Sequence, residues 1–427
     1  MSGRAFLDDC VHCGFCLPAC PTWLSWGEEM DSPRGRIDLV KGVRDGRVKM
    51  NGEVALHLDR CLGCMGCLTA CPSGVRYDRI VEEARAAREA AVPRPALERF
   101  HRGLLFHVLP YPRRLRIAAA LLLVWRWSGL QWLLRTTGLL RLLSRRLAAA
   151  EALAPRVGAA SLFPGLPSVA APSGPRRLRV GLVTGCVQGV FFPGVNAATV
   201  RVLQADGCEV VVPERQGCCG SLSAHVGRLD EARGLVRALV ERFEAAGVDQ
   251  VVVNAAGCGS HLRDCERLFD DDPAFRARAA AFSAKVRDVN ELLAGLGPRA
   301  ERRPLLARVA YHGPCHIVHA QKVGAAPRTI LAAVPGLELV DVPDGEVCCG
   351  SAGVYNLVQP DSAARIGARK AEAVASTGAE WLASANPGCT LHIRRMLRER
   401  GASIRAAHPV EFVDASIRGL PAPEDEG

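Results

Sequence analysis

The sequence predicts an α/β protein. Two tandem α/β domains with parallel sheets follow a small cysteine-rich α+β domain and a helical linker. Three observations carry this expectation. Eight cysteines fall within the first 71 residues, in two runs of identical spacing. A cysteine-free stretch rich in Arg and Leu comes next. The remainder repeats itself: Cys186, Cys218 and Cys258 recur as Cys315, Cys348 and Cys389 at offsets of 129, 130 and 131 residues, and both copies contain CCGS. Domains are expected at 1–90, 91–175, 176–300 and 301–420. With 427 residues, 49% hydrophobic and 23% charged, the chain has material for several cores, and disorder is excluded as its main state.

The first element is defined by Cys10-x2-Cys13-x2-Cys16-x3-Cys20-Pro21 and Cys61-x2-Cys64-x2-Cys67-x3-Cys71-Pro72. This is the spacing of bacterial ferredoxins, twice, and it predicts a ferredoxin-like domain with two 4Fe–4S clusters over 1–90. Three thiolates wrap one cluster in a tight loop, with Gly14, Gly63 and Gly66 supplying backbone freedom. The fourth cysteine leads away to the other cluster. Cys10, Cys13, Cys16 and Cys71 are therefore expected to hold one cluster, and Cys61, Cys64, Cys67 and Cys20 the other. Paired zinc sites are the competing reading, but zinc favours two separate CxxC pairs.

The second element, 91–175, begins and ends in Pro-containing stretches. From Arg94 to Ala150 eleven Arg face one acidic residue, Glu98, so the net charge of +10 is concentrated there and the rest of the chain is near neutral. A chain-wide nucleic-acid footprint is thus unsupported, whereas a local basic docking surface is expected. Within Leu130–Leu147, Arg135, Arg141, Arg145 and Arg146 share a polar arc of about 140° opposite Leu133, Leu140, Leu143 and Leu147. Trp125, Trp127 and Trp132 lie nearby. Arg and Trp on an amphipathic helix suit a membrane interface; a linker packed on its own domains or a partner suits it equally. The longest uncharged apolar stretch, Ile117 to Trp125, is too short to span a bilayer. No apolar leader precedes the first cysteine, so a cytoplasmic location, peripheral to the inner face of the membrane, is expected, with thiols serving as ligands rather than disulfides.

The third and fourth elements alternate short apolar runs with helical patterns. RLRVGLVT, CEVVVP and QVVVN read as strands in the first copy, and ARVAYH, LELVDV and WLASAN in the second, with helices between. Gly207, Gly247 and Gly378 suit helix C-caps. The cysteines follow the strands. In a doubly wound sheet those carboxyl ends converge on one crevice, which brings together Cys186, Cys218, Cys219 and Cys258, and likewise Cys315, Cys348, Cys349 and Cys389. Four convergent thiolates call for a cation, so each set is a candidate site for a further iron–sulfur cluster. A metal-free vicinal pair is the alternative. His261 and His392 recur three residues after the last repeat cysteine and are candidate ligands, as are His312 and His316 around Cys315. Cys208 and Cys265 read as core.

The strings CVHCGFCLPACPTW, DSPRGRI, HLDRCLGCMGCLTACPSGV, QGCCGSLSAHVG, VVVNAAGCGSHL, YHGPCHIVHAQ, VCCGSAGVYNLVQP and NPGC resemble those of the glycolate oxidase (glycolate dehydrogenase) iron–sulfur subunits. The resemblance covers nearly all of the chain except its basic middle. The repeats are similar to the cysteine-rich CCG domains of heterodisulfide reductase and of the anaerobic glycerol-3-phosphate dehydrogenase C subunit. Both repeats here end CxxH where the heterodisulfide-reductase pattern ends CxxC, so a five-thiolate cluster does not carry over. The resemblance implies an electron-transfer subunit of an oxidoreductase complex. It would pass electrons from FAD-containing glycolate oxidase subunits, which convert glycolate to glyoxylate, toward the quinone pool at the membrane surface. The alternative is a subunit, electron-transferring or catalytic, of another CCG-type complex acting on lactate, glycerol 3-phosphate or a heterodisulfide. No GxGxxG follows a strand, so the chain alone is not expected to be catalytic, and no catalytic residue is assigned.

Overall fold

A computed structural model describes residues 3–139 and 145–423. Among these, nine strands form two sheets. The first has the order β1-β3-β2-β4-β5, from β1 (Val169–Ala170), β2 (Leu178–Val183), β3 (Cys208–Val211), β4 (Gln250–Val253) and β5 (Val286–Asp288). The second has the order β7-β6-β8-β9, from β6 (Ala307–His312), β7 (Leu337–Asp341), β8 (Trp381–Ser384) and β9 (Arg405–Ala407). Every pairing is parallel except the antiparallel edge contact of β1 with β3. Without β1 the two orders coincide. Val180 pairs with Val210 and Gln250, and its counterpart Val309 pairs with Leu339 and Trp381. The Val- and Leu-rich runs of β2 and β4, and the WLAS run of β8, are buried because helices cover both sheet faces.

The two copies share one core. It runs from Val180, Leu182 and Leu203 in the first to Val309, Trp381 and Phe412 in the second. Helix Pro193–Ala205 packs on helix Pro409–Arg418, and Arg201 grips Asp414 at 2.6 Å across the seam. At the carboxyl ends of the strands, Ala256 N–H donates to Ala385 O (3.1 Å), joining the two copies through their backbones. Helix Val289–Leu296 packs on helix Ala325–Ala332 in the same way, so the repeats meet through equivalent helix pairs, as around a pseudo-twofold axis. Cys208 opens β3 in the shared core, and Cys265 is buried with its thiol 3.3 Å from Ser283 Oγ; neither lines the cysteine cavity described below.

The cysteine-rich unit differs from the α+β expectation. Among the described residues no strand precedes β1, and 3–90 is built from helices, chiefly Pro33–Arg44, Gly52–Arg60 and Tyr77–Ala91. The cysteine loops turn their backbone inward and leave no extended edge to pair, so helices fill the space a sheet would take. The linker is helical as expected (Ala96–Val108, Pro112–Trp127, Leu130–Thr136, Arg145–Ala152). It is packed on one side: Leu115 and Ala119 are buried against Val190 of the first repeat. The 130–147 amphipathic pattern is interrupted, since the helix from Leu130 stops at Thr136 and Gly138 takes a left-handed φ of 68°. Leu140, Arg141 and Leu143 lie outside the described residues, as do the side chains of Arg135, Arg145, Arg146 and Leu147.

Candidate metal centres

The two N-terminal cysteine loops share a backbone. In each, the residues before and after the second cysteine are left-handed: His12 (φ 56°) and Gly14 (φ 86°) around Cys13, Gly63 (φ 64°) and Met65 (φ 64°) around Cys64. Two non-glycine residues bear this strain. Such alternation aims successive N–H groups inward, as an anionic group requires. Gly63 N–H already donates to Cys61 Sγ at 3.4 Å. Gly66 is not left-handed; it is needed because a Cβ there would meet Ala19 O at 3.0 Å.

Cys61 and Cys67 are buried in one small core, with Cys10, Cys16 and Cys71 packed at its edge. Cys20 is buried among Thr22 Oγ1 (3.1 Å) and Asp31 O (3.7 Å), within electrostatic reach of Cys64 and Cys67. Cys13 is exposed at the rim. Burial pushes the Cys16 thiol up to about 11 and raises those of Cys20 and Cys67. Cys61 goes the other way. Burial would raise it, but the Arg36 and Arg85 guanidinium groups, the Tyr77 hydroxyl (3.6 Å) and the Gly63 N–H together lower it.

Those cations are site residues that spacing alone does not reveal. Arg36, from DSPRGRI, is 1% exposed and lies on helix Pro33–Arg44, which Ser32 caps by accepting from Gly35 N–H (3.0 Å) with Pro33 in the first turn. It donates to His57 O (2.7 Å), Thr22 Oγ1 (3.1 Å) and Asp31 Oδ1 (3.3 Å). Asp31, fully buried, also takes His57 Nδ1 (2.9 Å) and Arg60 (2.7 Å). Arg85 donates to Cys61 O and to His225 O (2.8 Å), tying this unit to the first repeat. Buried positive charge beside thiols is what a multi-thiolate site needs to be stable as anions.

The repeat cysteines converge further than expected. All eight line a single cavity of about 270 Å³ between the two sheets' carboxyl ends. Each CCG divides its thiols: Cys218 lies 3.5 Å from Cys186 and Cys219 lies 3.0 Å from Cys258. In the second copy Cys348 neighbours Cys315, and Cys349 neighbours Cys389. The glycine of each CCG is left-handed (φ 84° and 90°), and its missing side chain admits the next helix; a Cβ would sit 3.0 Å from Ala232 O at Gly220 and 2.9 Å from Ala363 O at Gly350. Neighbouring thiols and burial push Cys186, Cys315 and Cys349 well above the usual thiol range. Thiols this closely grouped resist ionising together without a cation among them, which is the donor chemistry of a metal centre.

The candidate histidines separate. His316 lines the cysteine cavity with its Nδ1 3.6 Å from Cys315 Sγ, and stacks edge-on against His225, which sequence reasoning did not single out. His261 lines a second cavity of about 500 Å³ beside the N-terminal unit. His392 places Nε2 3.0 Å from Ala363 O and does not line the cysteine cavity. His312 comes instead toward Cys349 and Cys389. Recurrence at one offset therefore tracks a shared helix position and not a shared contact with the thiols.

The two kinds of site adjoin. Cys348 pushes the Cys64 thiol well up, Cys64 packs with Cys315 and Cys348 in one apolar cluster, and Leu62 lines the cysteine cavity. The linker closes that cavity with Leu109, Ala150, Leu153, Ala154 and Pro155.

Family comparison agrees with this layout. The sequence model of the 4Fe–4S dicluster domain matches residues 6–75, that of the glycolate oxidase iron–sulfur subunit linker region 97–154, and that of the cysteine-rich domain 180–263 and 309–394. The chain is 37% identical to a probable glycolate oxidase iron–sulfur subunit of Bacillus subtilis over 95% of its length and 93% of the relative's. It is 34% identical to the glycolate oxidase iron–sulfur subunit of Escherichia coli over 98% and 96%. Lactate utilization protein A of an Exiguobacterium species is 30% identical over 56% of this chain and 98% of its own.

Proposed function

The chain belongs to the family of glycolate oxidase iron–sulfur subunits, and on that premise we propose that it is the electron-transfer subunit of a glycolate oxidase complex. It receives electrons from an FAD-containing partner that oxidises glycolate to glyoxylate, and delivers them toward the quinone pool from the inner face of the membrane. The contact that carries this reading is the packing of Cys64 against Cys348, which makes the N-terminal sites and the repeat cavity one continuous buried assembly.

Iron–sulfur clusters, when bound, supply one-electron carriers, whereas hydride removal from a hydroxy acid calls for a flavin. The chain's own residues do the rest. Cys10, Cys13, Cys16 and Cys71 would hold one 4Fe–4S cluster and Cys61, Cys64, Cys67 and Cys20 the other; Cys20 lies within electrostatic reach of Cys64 and Cys67, as the crossing requires, and of Cys16 as well. The repeat cysteines hold a further centre. Arg36 and Arg85 offset the thiolate charge, and the linker keeps water from the repeat cavity. The match to the glycolate-oxidase linker favours glycolate over lactate, whose relatives span little more than half of this chain.

The test is glycolate-dependent dye reduction by the purified subunit with and without its flavoprotein. Turnover should require the flavoprotein. Substantial flavin-free turnover by the subunit alone would falsify the reading.

A further inference from the structure

The second repeat is not a copy of the first at its cysteine end. β6 ends on His312, three residues before Cys315, where β2 ends on Val183, three before Cys186. His312 is 0% exposed, and neither ring nitrogen makes a well-formed hydrogen bond, the Gly345 backbone alone lying within reach of the ring. Leaving a buried polar group unpaired costs roughly 1–3 kcal/mol, so an imidazole placed there needs a reason. One ring nitrogen of His312 and the sulfurs of Cys349 and Cys389 all lie within 4.8 Å of one another, and among the described residues no other three His, Cys, Asp or Glu donors come so close. Donors about 2.0–2.3 Å from one tetrahedral metal stand roughly 3.3–3.8 Å apart, within that limit.

We propose that His312 is a nitrogen ligand, together with Cys349 and Cys389, to the metal centre of the second repeat. The repeats then hold unlike centres, all-thiolate in the first and imidazole–thiolate in the second. This rests on the reading that the repeats bind metal. The shared chemistry is a thiophilic metal, either iron within a cluster or a single zinc ion.

The full-length chain, purified anaerobically with 15N-labelled histidine, tests it. Metal and sulfide analysis identifies the occupant: iron and sulfide beyond the N-terminal clusters, or zinc, which cobalt(II) then replaces as a paramagnetic probe. Pulsed EPR should show a directly bonded histidine nitrogen, and the His312→Val variant distinguishes His312 from His316, which also lines the cysteine cavity. In His312→Val, which installs the first repeat's residue, the coupling is lost while the N-terminal cluster signals persist. His312→Cys, which offers a sulfur at the same place, keeps the metal without the nitrogen coupling, so loss of signal is separable from misfolding. Metal in the repeats with no bonded nitrogen, or a coupling that survives in His312→Val, overturns His312 as a ligand and leaves the repeat centre standing. Metal content no higher than the N-terminal clusters require overturns both.

Discussion

Lys370 is a buried lysine, 3% exposed, on helix Pro360–Ala375. It stands 22 residues after Cys348, where the first repeat has Val240 after Cys218. Its ammonium donates to Asp344 O at 2.5 Å, and burial lowers its pKa while Cys349, Cys348 and Cys389 act to raise it. A cation here favours the more negative, reduced form of whatever the thiolates hold. A unit charge several ångströms away is worth about 2 kcal/mol at an effective dielectric of about 20, or on the order of 50–100 mV for a one-electron couple. Lys370→Met should therefore lower the midpoint potential of the second repeat's centre by that order and leave the N-terminal clusters unshifted, read by EPR-monitored redox titration; an unshifted potential would show that Lys370 carries no charge at the centre. At this scale the sixteen candidate ligand cysteines were legible, because their spacing and their place after strands are local. Arg36, Arg85 and Lys370 were not, because each becomes meaningful only when helices distant in sequence bring it beside a thiol.

Helix Val289–Leu296 begins at a buried carboxylate. Asp288 Oδ1 accepts from Asn290 N–H (2.8 Å) and Asn290 Nδ2 (2.7 Å), but Oδ2 has no partner, and burial raises the pKa to about 6 in spite of those bonds. In the unfolded chain an aspartate titrates near ~3.9. Below that value both states are protonated and the site costs nothing. As pH rises toward 6 the folded state retains a proton that the unfolded state has released, so stability falls, and above 6 the full penalty, on the order of 2–3 kcal/mol, is present. Asp288→Asn keeps a capping oxygen and removes the charge. Its melting temperature should exceed the parent's by a margin that widens from about pH 4 to about pH 6 and then levels off; a margin independent of pH would show that Asp288 does not titrate in this range. The strand this residue closes, β5, was not legible in the sequence, and neither was β9. Val286–Asp288 and Arg405–Ala407 are three-residue strands containing Arg at the ends of their sheets, too short and polar to show a period. The longer runs of β2, β4, β6 and β8 declared themselves because the inner strands must be apolar on both faces.

In the whole molecule, the linker has two faces with different fates. One closes the cysteine cavity and packs on the first repeat. On the other, Ile117, Leu121, Val124 and Trp127 recur along helix Pro112–Trp127 and are 63–82% exposed. Trp132 and Leu133 continue the apolar surface, and Arg113 and Arg114 are exposed where the same helix begins. The packed-linker expectation accounts for the first face and leaves the second without a partner in the fold. No helix among the described residues is long and apolar enough to cross a bilayer, so the surface lies on a membrane if it meets one. An apolar ridge of branched side chains and Trp, with Arg beside it, matches the boundary between acyl chains and anionic headgroups. We propose an anionic bilayer as its complement. Each exposed Leu- or Ile-sized side chain inserted is worth roughly 1.5–3 kcal/mol, so losing two should weaken binding at least tenfold. Leu121→Ser with Trp127→Ser should abolish flotation with phosphatidylglycerol-containing vesicles while iron content and flavoprotein-dependent dye reduction persist. Binding of the parent should fall in high salt and on vesicles of neutral phosphatidylcholine. Equal binding by the double variant, or a parent that ignores vesicles of both compositions, would remove the membrane from this face and leave a protein partner as its occupant.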